Sequence, residues 1–473
     1  MSQTITIDPV TRLEGHGKIT IHLDEQGNVE NANFHVTQVR GFEKFSEGRP
    51  FYEMPALMAR ICGICPVSHL IASAKACEAI MSVRIPHTAA QLRRMLNLAQ
   101  MVQSHALSFF YLSSPDLLLG LDSDPGARHL FGVAGAKPEL ARGGVALRRF
   151  GQHIIELLGD KRIHPGWVIP GGVTEPLSQA KRDEILGMIP EAYNNIKLAL
   201  NWYKQIADSF QPEIEVFANF PTLYMGLINE DESVEFTDGA LRLIDARGGI
   251  VADGITANQF NEVIGEAVEP YSYTKFAYYK PLGYPEGSYR VGPLARLNIA
   301  QSMGTPLADI ELKQFKQLAL GPVQSSFHYH YARLIDMIYG IEKIEQILSD
   351  PLILDTHVRA TAGVNRLEGS GQAEAPRGTL HHHYKVDENG LITWANLVIA
   401  TGQNNNAMNL GVLQAAKHYI KDGKFTEGIL NRVEAVVRTF DPCLSCSTHA
   451  LGQMPLAISL ISSDGELLDQ AIR

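Results

Sequence analysis

Residues 60–69 read RICGICPVSH, and residues 441–449 read DPCLSCSTH. Each stretch carries a CxxC pair, Cys62 with Cys65 and Cys443 with Cys446, and each pair is followed by a histidine, His69 or His449. Arg60 and Asp441 stand two residues before the leading cysteines. Thiolates are soft ligands that select zinc, iron–sulfur clusters or another late transition metal. A CxxC turn lets both sulfurs face one ion. Structural zinc sites draw both pairs from a short stretch of chain. Here the pairs lie near opposite ends of a 473-residue chain, so no local knuckle can form. To share an ion they must meet in the core of a finished fold. Spacing alone leaves three readings open: a structural metal, a catalytic metal, or two pairs that never meet.

The rest of the chain fits a large globular body. Apolar residues make up 45% and charged residues 19%, enough for an extensive core of two or three lobes. A formal charge of −10 and the lack of a Lys/Arg block argue against a nucleic-acid surface. No apolar run of about 18 residues is present, so no membrane span is expected. The start, MSQTITIDPVTRLEGH, lacks the cationic and apolar regions of a secretory signal. Five cysteines are few and odd in number. Together these features predict a cytoplasmic protein without a disulfide framework.

Periodicity predicts strands over 3–23 and on to Val39, turning at DEQGN (24–28). Helical spacing covers 55–83, 88–112, 139–159, 177–210, 310–320, 324–349 and 406–421. A hairpin over 378–400 turns at DENG. Residues 215–300 are rich in Gly, Pro and Tyr and read as an irregular lobe. The expected fold class is α+β and predominantly α, a long-helix bundle core with peripheral antiparallel β-ribbons. The expected divisions are a β-ribbon over 1–50, a helical core over 51–214, the irregular lobe over 215–300, and a helical and hairpin region over 301–449. Residues 450–473 follow as an extension. The run HHH at 381–383 reads as a polar ribbon. His328 and His330 read as packed or capping residues, and Cys77 as a small core residue.

The two cysteine motifs resemble those of nickel–iron hydrogenase large subunits. DPVTRLEGH (8–16), RGFEKF (40–45), QSHALSFFYLSSPD (103–116), RVGPLARLN (290–298) and EAPRGTLHHHYKV (374–386) resemble further motifs of that family, in the same order. The finer pattern, including ARICGICPVSHLIASAKACE and IATGQNNNAMN, is similar to the bidirectional, NAD(P)-linked cytoplasmic branch. Coenzyme F420-linked relatives are the nearest competitors.

The resemblance implies a reaction and a set of roles. Heterolysis of H2 needs a metal to accept the hydride and a base to accept the proton. Cys62, Cys65, Cys443 and Cys446 would hold nickel, and Cys65 and Cys446 would bridge to an iron carrying cyanide and carbon monoxide. Cys443 would take the proton and Glu14 would relay it. Without the resemblance, Glu14 reads as a capping residue or as salt-bridged beside Arg12. Arg377 would stand over the open metal position, held by Asp116 and Asp441, with Pro376 in the pocket wall. Thr401 would donate to a cyanide, and His69 would hydrogen-bond near a bridging thiolate. Glu43, His449 and the Leu397 carbonyl would hold magnesium.

The resemblance also implies partners. The remaining cysteine, Cys77, cannot hold a cluster, so electrons need an iron–sulfur small subunit, followed by an NAD(P)-reducing flavoprotein diaphorase module. No Gly-rich dinucleotide fingerprint is present. Nickel-insertion chaperones and an endopeptidase cutting between His449 and Ala450 complete the set. Competing readings are the quinone-site subunit of respiratory complex I, a hydrogen sensor, and a structural zinc protein that binds its ion through four cysteines. The first has lost the four cysteines.

Overall fold

This computed structural model describes residues 3–448, 457–462 and 466–472. Alternating apolar residues form β1 (Gln3–Ile7), β2 (Gly17–Leu23) and β3 (Val29–Val36), an antiparallel sheet in the order β1-β2-β3. Ile19, Ile21 and Leu23 point into the core. Asp24 makes the expected turn, because its Oδ1 accepts from the backbone N–H groups of Gln26 and Asn28. Between β1 and β2 the segment DPVTRLEGH leaves the sheet and crosses toward the C-terminal cysteine motif.

The stretch expected as one helix over 55–83 is divided. A short helix, Met54–Met58, and a 3-10 turn, Ala59–Ile61, lead to Cys62 in extended conformation. Helix α1 (Pro66–Met81) starts only after Cys65, with Pro66 suited to its first turn. The apolar periodicity runs through this break, but the metal-ligand turn interrupts the backbone.

Four long helices follow the expected boundaries closely: α2 (His87–Leu107), α3 (Pro138–Gly159), α4 (Gln179–Ile206) and, after the lobe described next, α6 (Tyr329–Ser349). α2 packs on α3 and α6, and α4 packs on α3 and α6. This bundle is the core of the molecule. α2 passes directly into a π-helical turn, Ser108–Ser113, a wider turn of the kind that often sits at functional sites.

The lobe over 215–300 is more regular than expected. It contains β4 (Leu223–Ile228), β5 (Ala240–Ile244), β6 (Ile250–Ile255), β7 (Ile264–Ala267), β8 (Phe276–Tyr279) and β9 (Tyr289–Arg290). The sheet order is β9-β4-β5-β6, with β9 and β4 parallel, while β7 and β8 pair separately. The short helix α5 (Pro293–Ile299) returns the chain to the bundle.

The C-terminal ribbon departs from its expected peripheral place. β10 (Glu368–Ala375), β11 (Gly378–Val386) and β12 (Ile392–Val398) form an antiparallel sheet, and β10 and β11 are largely buried. β10 lies against α1 because Gly369 and Gly371 carry no side chain. A Cβ at Gly371 would sit 2.2 Å from Ala72 O and 2.5 Å from Ala76 N. Helices α7 (Asn405–Tyr419) and α8 (Glu427–Phe440) then lead to the second cysteine motif. The last described strands, β13 (Ala457–Ile461) and β14 (Leu467–Ile472), pair with each other.

Gly371→Ala should push β10 off α1 and cost at least about 2 kcal/mol, visible as a lower midpoint of thermal unfolding. Gly363→Ala, where an added Cβ meets nothing within 4 Å, should stay within about 0.5 kcal/mol of the unaltered protein.

Candidate metal centre

The two CxxC pairs meet. The Sγ atoms of Cys62, Cys65, Cys443 and Cys446 all lie within 4.8 Å of one another. Cys62 Sγ is 3.4 Å from Cys443 Sγ, Cys65 Sγ is 3.5 Å from Cys446 Sγ, and Cys443 Sγ is 2.8 Å from Cys446 Sγ. All four are free thiols, and none is more than 3% exposed.

Local backbone explains the first pair. The N–H groups of Ile64 and Cys65 both point at Cys62 Sγ, at 3.2 and 3.3 Å. A CxxC turn therefore supplies its own donors to a thiolate. The Cys443 thiol, joined by those of Cys446 and Cys65, holds Cys62 well below the usual thiol range. Burial pushes Cys443 and Cys446 well above it. Cys77 stands apart, donating to Phe51 O.

Two N-terminal residues join the loops. Glu14 O accepts from Leu444 N at 3.0 Å, in a parallel bridge between Glu14 and Cys443. Arg40 N donates to Thr448 O at 2.8 Å, and its guanidinium donates to Ile61 O. Gln103 of α2 donates to Ile64 O at 2.6 Å, fixing the first loop from the bundle side.

Arg377 and Pro376 form the two-residue turn between β10 and β11, where Ala375 pairs with Gly378. Arg377 is 3% exposed. Its Nε donates to Asp441 O at 2.8 Å and lies 3.0 Å from Asp441 Oδ2; its Nη2 donates to Asp441 Oδ1 at 3.1 Å. Its Nη1 donates to Ser104 Oγ at 3.1 Å. Burial opposes the charge, but Asp441 and the cysteine thiolates hold the guanidinium well above its ordinary value. Asp441 itself takes the left-handed conformation that ends α8, with φ 53°, a conformation aspartate tolerates.

The expectation that Asp116 also holds Arg377 is corrected. Asp116 Oδ1 accepts from Arg12 Nη2 at 2.6 Å and from Asn431 Nδ2 at 3.0 Å, and its Oδ2 is 3.3 Å from Arg438 Nε. Burial opposes its charge, and Arg438 and Arg12 outweigh burial, so the carboxyl sits below its usual range. Asp116, in the short helix Ser114–Leu119 that follows the π-helical turn, thus ties that segment to α8 and to the N-terminal segment. Arg12 consequently pairs with Asp116, so the plain reading of Glu14 as its salt-bridge partner does not hold.

Glu14 instead faces the thiols. Its Oε2 accepts from Cys443 Sγ at 3.1 Å and from Ser445 N at 3.1 Å. Thr401 Oγ1 accepts from Cys443 N at 3.0 Å, which leaves its own hydroxyl proton to donate elsewhere. His69, in the first turns of α1, has Nδ1 3.2 Å from His382 Nε2. Glu43 Oε1 accepts from Leu397 N at 2.7 Å, so two of the three expected magnesium ligands are adjacent; His449 lies outside the described residues. Asn396 links Glu43 to Glu266, at 3.4 and 3.0 Å, and Lys275 sits 3.0 Å from Glu266. Sequence reasoning missed Glu266, which no quoted motif contains, and Ser104, which QSHALSFF does contain.

The HHH run is also corrected. His381 and His382 are fully buried. His381 stacks on Phe260 with ring centroids 4.2 Å apart, and burial brings its pKa down to about 3. His382 Nδ1 is 2.6 Å from Tyr384 OH, and His383 Nε2 is 2.6 Å from Glu368 Oε1. The expected polar ribbon is therefore a largely buried strand.

This donor set fits a soft or borderline metal. Four convergent buried thiols can hold one ion, and Arg377 supplies the positive charge that several thiolates in a low-dielectric interior require.

Comparison with known proteins agrees. A family model described as HoxL-like matches residues 4–39, and one described as nickel-dependent hydrogenase matches residues 40–121 and 228–449. The chain is 41% identical over 497 residues to the NAD-reducing hydrogenase HoxS subunit beta of Cupriavidus necator, covering 100% of both chains. It is 41% identical over 470 residues to one of the subunits of the F420-non-reducing hydrogenase vhc of Methanococcus voltae, covering 98% of this chain and 99% of that one. Its structure is similar to that of an NAD+-reducing NiFe-hydrogenase in the H2-reduced state, with a TM-score of 0.92 and 43% identity over 94% of this chain and 99% of the other.

Replacing any one of Cys62, Cys65, Cys443 or Cys446 by Ala should lower the metal retained by the purified protein at least about tenfold, measured by elemental analysis. Cys77→Ala should leave it unchanged.

Proposed function

The chain belongs to the nickel-dependent hydrogenase family, and we propose that it is the catalytic large subunit of a bidirectional enzyme that splits and forms H2 and exchanges the electrons with NAD(P) through partner subunits. The observation that carries this reading is one cluster: four buried thiols within 4.8 Å, with Glu14 3.1 Å from Cys443 Sγ. The full-length likeness to the NAD-reducing relative supports the choice of electron acceptor. A second reading, an electron carrier other than NAD(P), is favoured by the equal 41% identity to a relative not named for NAD; that relative is named as F420-non-reducing, which gives coenzyme F420 itself no support.

The four cysteines would hold nickel, together with an iron carrying cyanide and carbon monoxide. Glu43, Leu397 and His449 would hold magnesium. When bound, the bimetallic group supplies the Lewis acid that polarises H2 and takes up its electron pair. The chain supplies the rest. Burial of the thiols keeps bulk water away from the reacting atoms. Arg377, locked by Asp441 and Ser104, sets a fixed positive charge beside them. Cys443 Sγ holds a proton and donates it to Glu14 Oε2. Glu14 is half-buried, so it can pass that proton outward from a closed site.

Balance requires that two electrons and two protons leave for each H2 consumed. The electrons would pass to an iron–sulfur small subunit, then to an NAD(P)-reducing flavoprotein diaphorase. Among the described residues no helix is long and apolar enough to cross a membrane, which suits a cytoplasmic assembly of this kind. Assembly would use nickel-insertion chaperones and an endopeptidase that removes residues 450–473, so that 1–449 forms the mature unit.

Three measurements on the purified complex test the reading: nickel content, the intact mass of this chain, and the infrared spectrum between about 1,850 and 2,150 wavenumbers, where metal-bound carbonyl and cyanide absorb. Nickel, diatomic bands and a chain ending at His449 are expected. One zinc per chain and no bands would make the four cysteines structural. Glu14→Gln should keep nickel and bands but lower H2 turnover at least about 100-fold; full turnover in that variant would remove Glu14 from the proton path.

A further inference from the structure

Three of the motifs that carry the family resemblance place charged or titratable residues outside the metal centre: His105 in QSHALSFFYLSSPD, Arg296 in RVGPLARLN and Glu374 in EAPRGTLHHHYKV. In the structure these side chains meet. Arg296, on α5, is 0% exposed. Its Nη1 donates to Glu374 Oε2 at 2.5 Å and to Ala375 O at 3.2 Å. Its Nη2 donates to Asp336 Oδ2 at 2.5 Å, and His105 Nε2 lies 3.3 Å from the same oxygen. Glu374 Oε1 accepts from Thr379 Oγ1 at 2.7 Å and from Leu227 N at 3.1 Å.

The placement of these bonds gives them meaning. Glu374 and Ala375 end β10, and Thr379 is the second residue of β11. The cluster therefore grips both arms of the turn formed by Pro376 and Arg377. α5 closes on the same turn through its own N-terminus. Gly292 has φ +95°, and a Cβ there would lie 2.6 Å from Arg377 O. Asn404 joins the two, with Oδ1 accepting from Val291 N at 2.9 Å and Nδ2 donating to Arg377 O at 3.4 Å.

An apolar core would serve stability as well. Taking ions out of water costs several kcal/mol each, and replacing a buried ion pair by packed apolar residues is often neutral or stabilising. What an apolar core lacks is directional grip. We propose that Arg296 is a positioning residue for Arg377: through Glu374 and the Ala375 carbonyl it fixes the Pro376–Arg377 turn, while Asp336 and His105 fix Arg296. The inference rests on the reading of Arg377 as the charge beside the metal centre. Asp441 and Ser104 hold the tip of Arg377, and the Arg296 cluster holds its root. Displacing a reacting group by 1 Å can cost about 100-fold in rate, so both anchors matter to turnover.

The test uses Arg296→Lys in the complete, metal-loaded complex. Lysine keeps the charge but lacks the planar fork needed to hold Glu374, Ala375 O and Asp336 together. Hydrogen–deuterium exchange of peptides spanning 374–380 should accelerate at least about tenfold, with peptides from α2 and α6 unchanged. Nickel content and diatomic infrared bands should persist while kcat falls about 10- to 100-fold. Thr379→Val removes one bond to Glu374 and should give a smaller change in the same two readouts, about threefold; it decides the matter if Arg296→Lys does not accumulate. Unchanged exchange and turnover would overturn the proposal. So would equal loosening of α2, α6 and the turn, which would make the cluster general support. Arg377→Lys separates the two readings: full turnover in that variant, with a loosened turn in Arg296→Lys, would retain the clamp and reject the role given to Arg377.

Discussion

Burying four thiols against one another is the constraint on which this structure turns. With three sulfur–sulfur contacts of 2.8 to 3.5 Å and all four sulfurs within 4.8 Å, the group cannot all ionise without a compensating cation. The protein meets this demand in two ways. It converges the ligands for a metal, and it brings Arg377 to the same place. Because the two cysteine pairs come from opposite ends of the chain, the demand also dictates topology. The N-terminal segment must cross to the C-terminal motif, and the Glu14–Cys443 bridge and the bonds from Arg40 record that crossing.

Around the thiols, polar groups are arranged by distance rather than by sequence. Glu14 and Thr401 each contact Cys443, and Asp441, two residues before it, holds Arg377. Asp116 belongs to a different set. Flanked by Arg12 and Arg438, it joins the segment that follows α2 to α8 and to the crossing N-terminal segment. It thus steadies the scaffold on which Arg377 is held, and does so without touching Arg377. Burial alone would neutralise such a carboxyl; two guanidinium groups keep it charged.

Much of this was legible beforehand. Alternation marked the first sheet, and 3.6-residue periodicity marked α2, α3, α4 and α6. The cysteine spacing left open whether the two pairs meet; the resemblance of the two motifs to one family implied the shared site. Other features depended on contacts between distant residues. The break at 62–65 is invisible to periodicity because apolar residues continue through it. The burial of β11 on both faces was misread because histidine counts as polar. Its burial rests on Phe260 and on His69, both remote in sequence. Asp116 needed a cation, and the sequence offers many arginines without indicating which. Helix α8 carried a usable signal, since Ile429, Val433, Val436, Val437 and Phe440 recur at helical spacing.

The terminal hairpin has a simpler lesson. Among the described residues β13 and β14 form a sheet of two, pairing only with each other and with one register shift between Leu460 and Ile461. Such a unit is hydrogen-bonded to itself and to no neighbouring sheet. Its loss would orphan no donor or acceptor in another sheet, and no other strand would have to find a new partner.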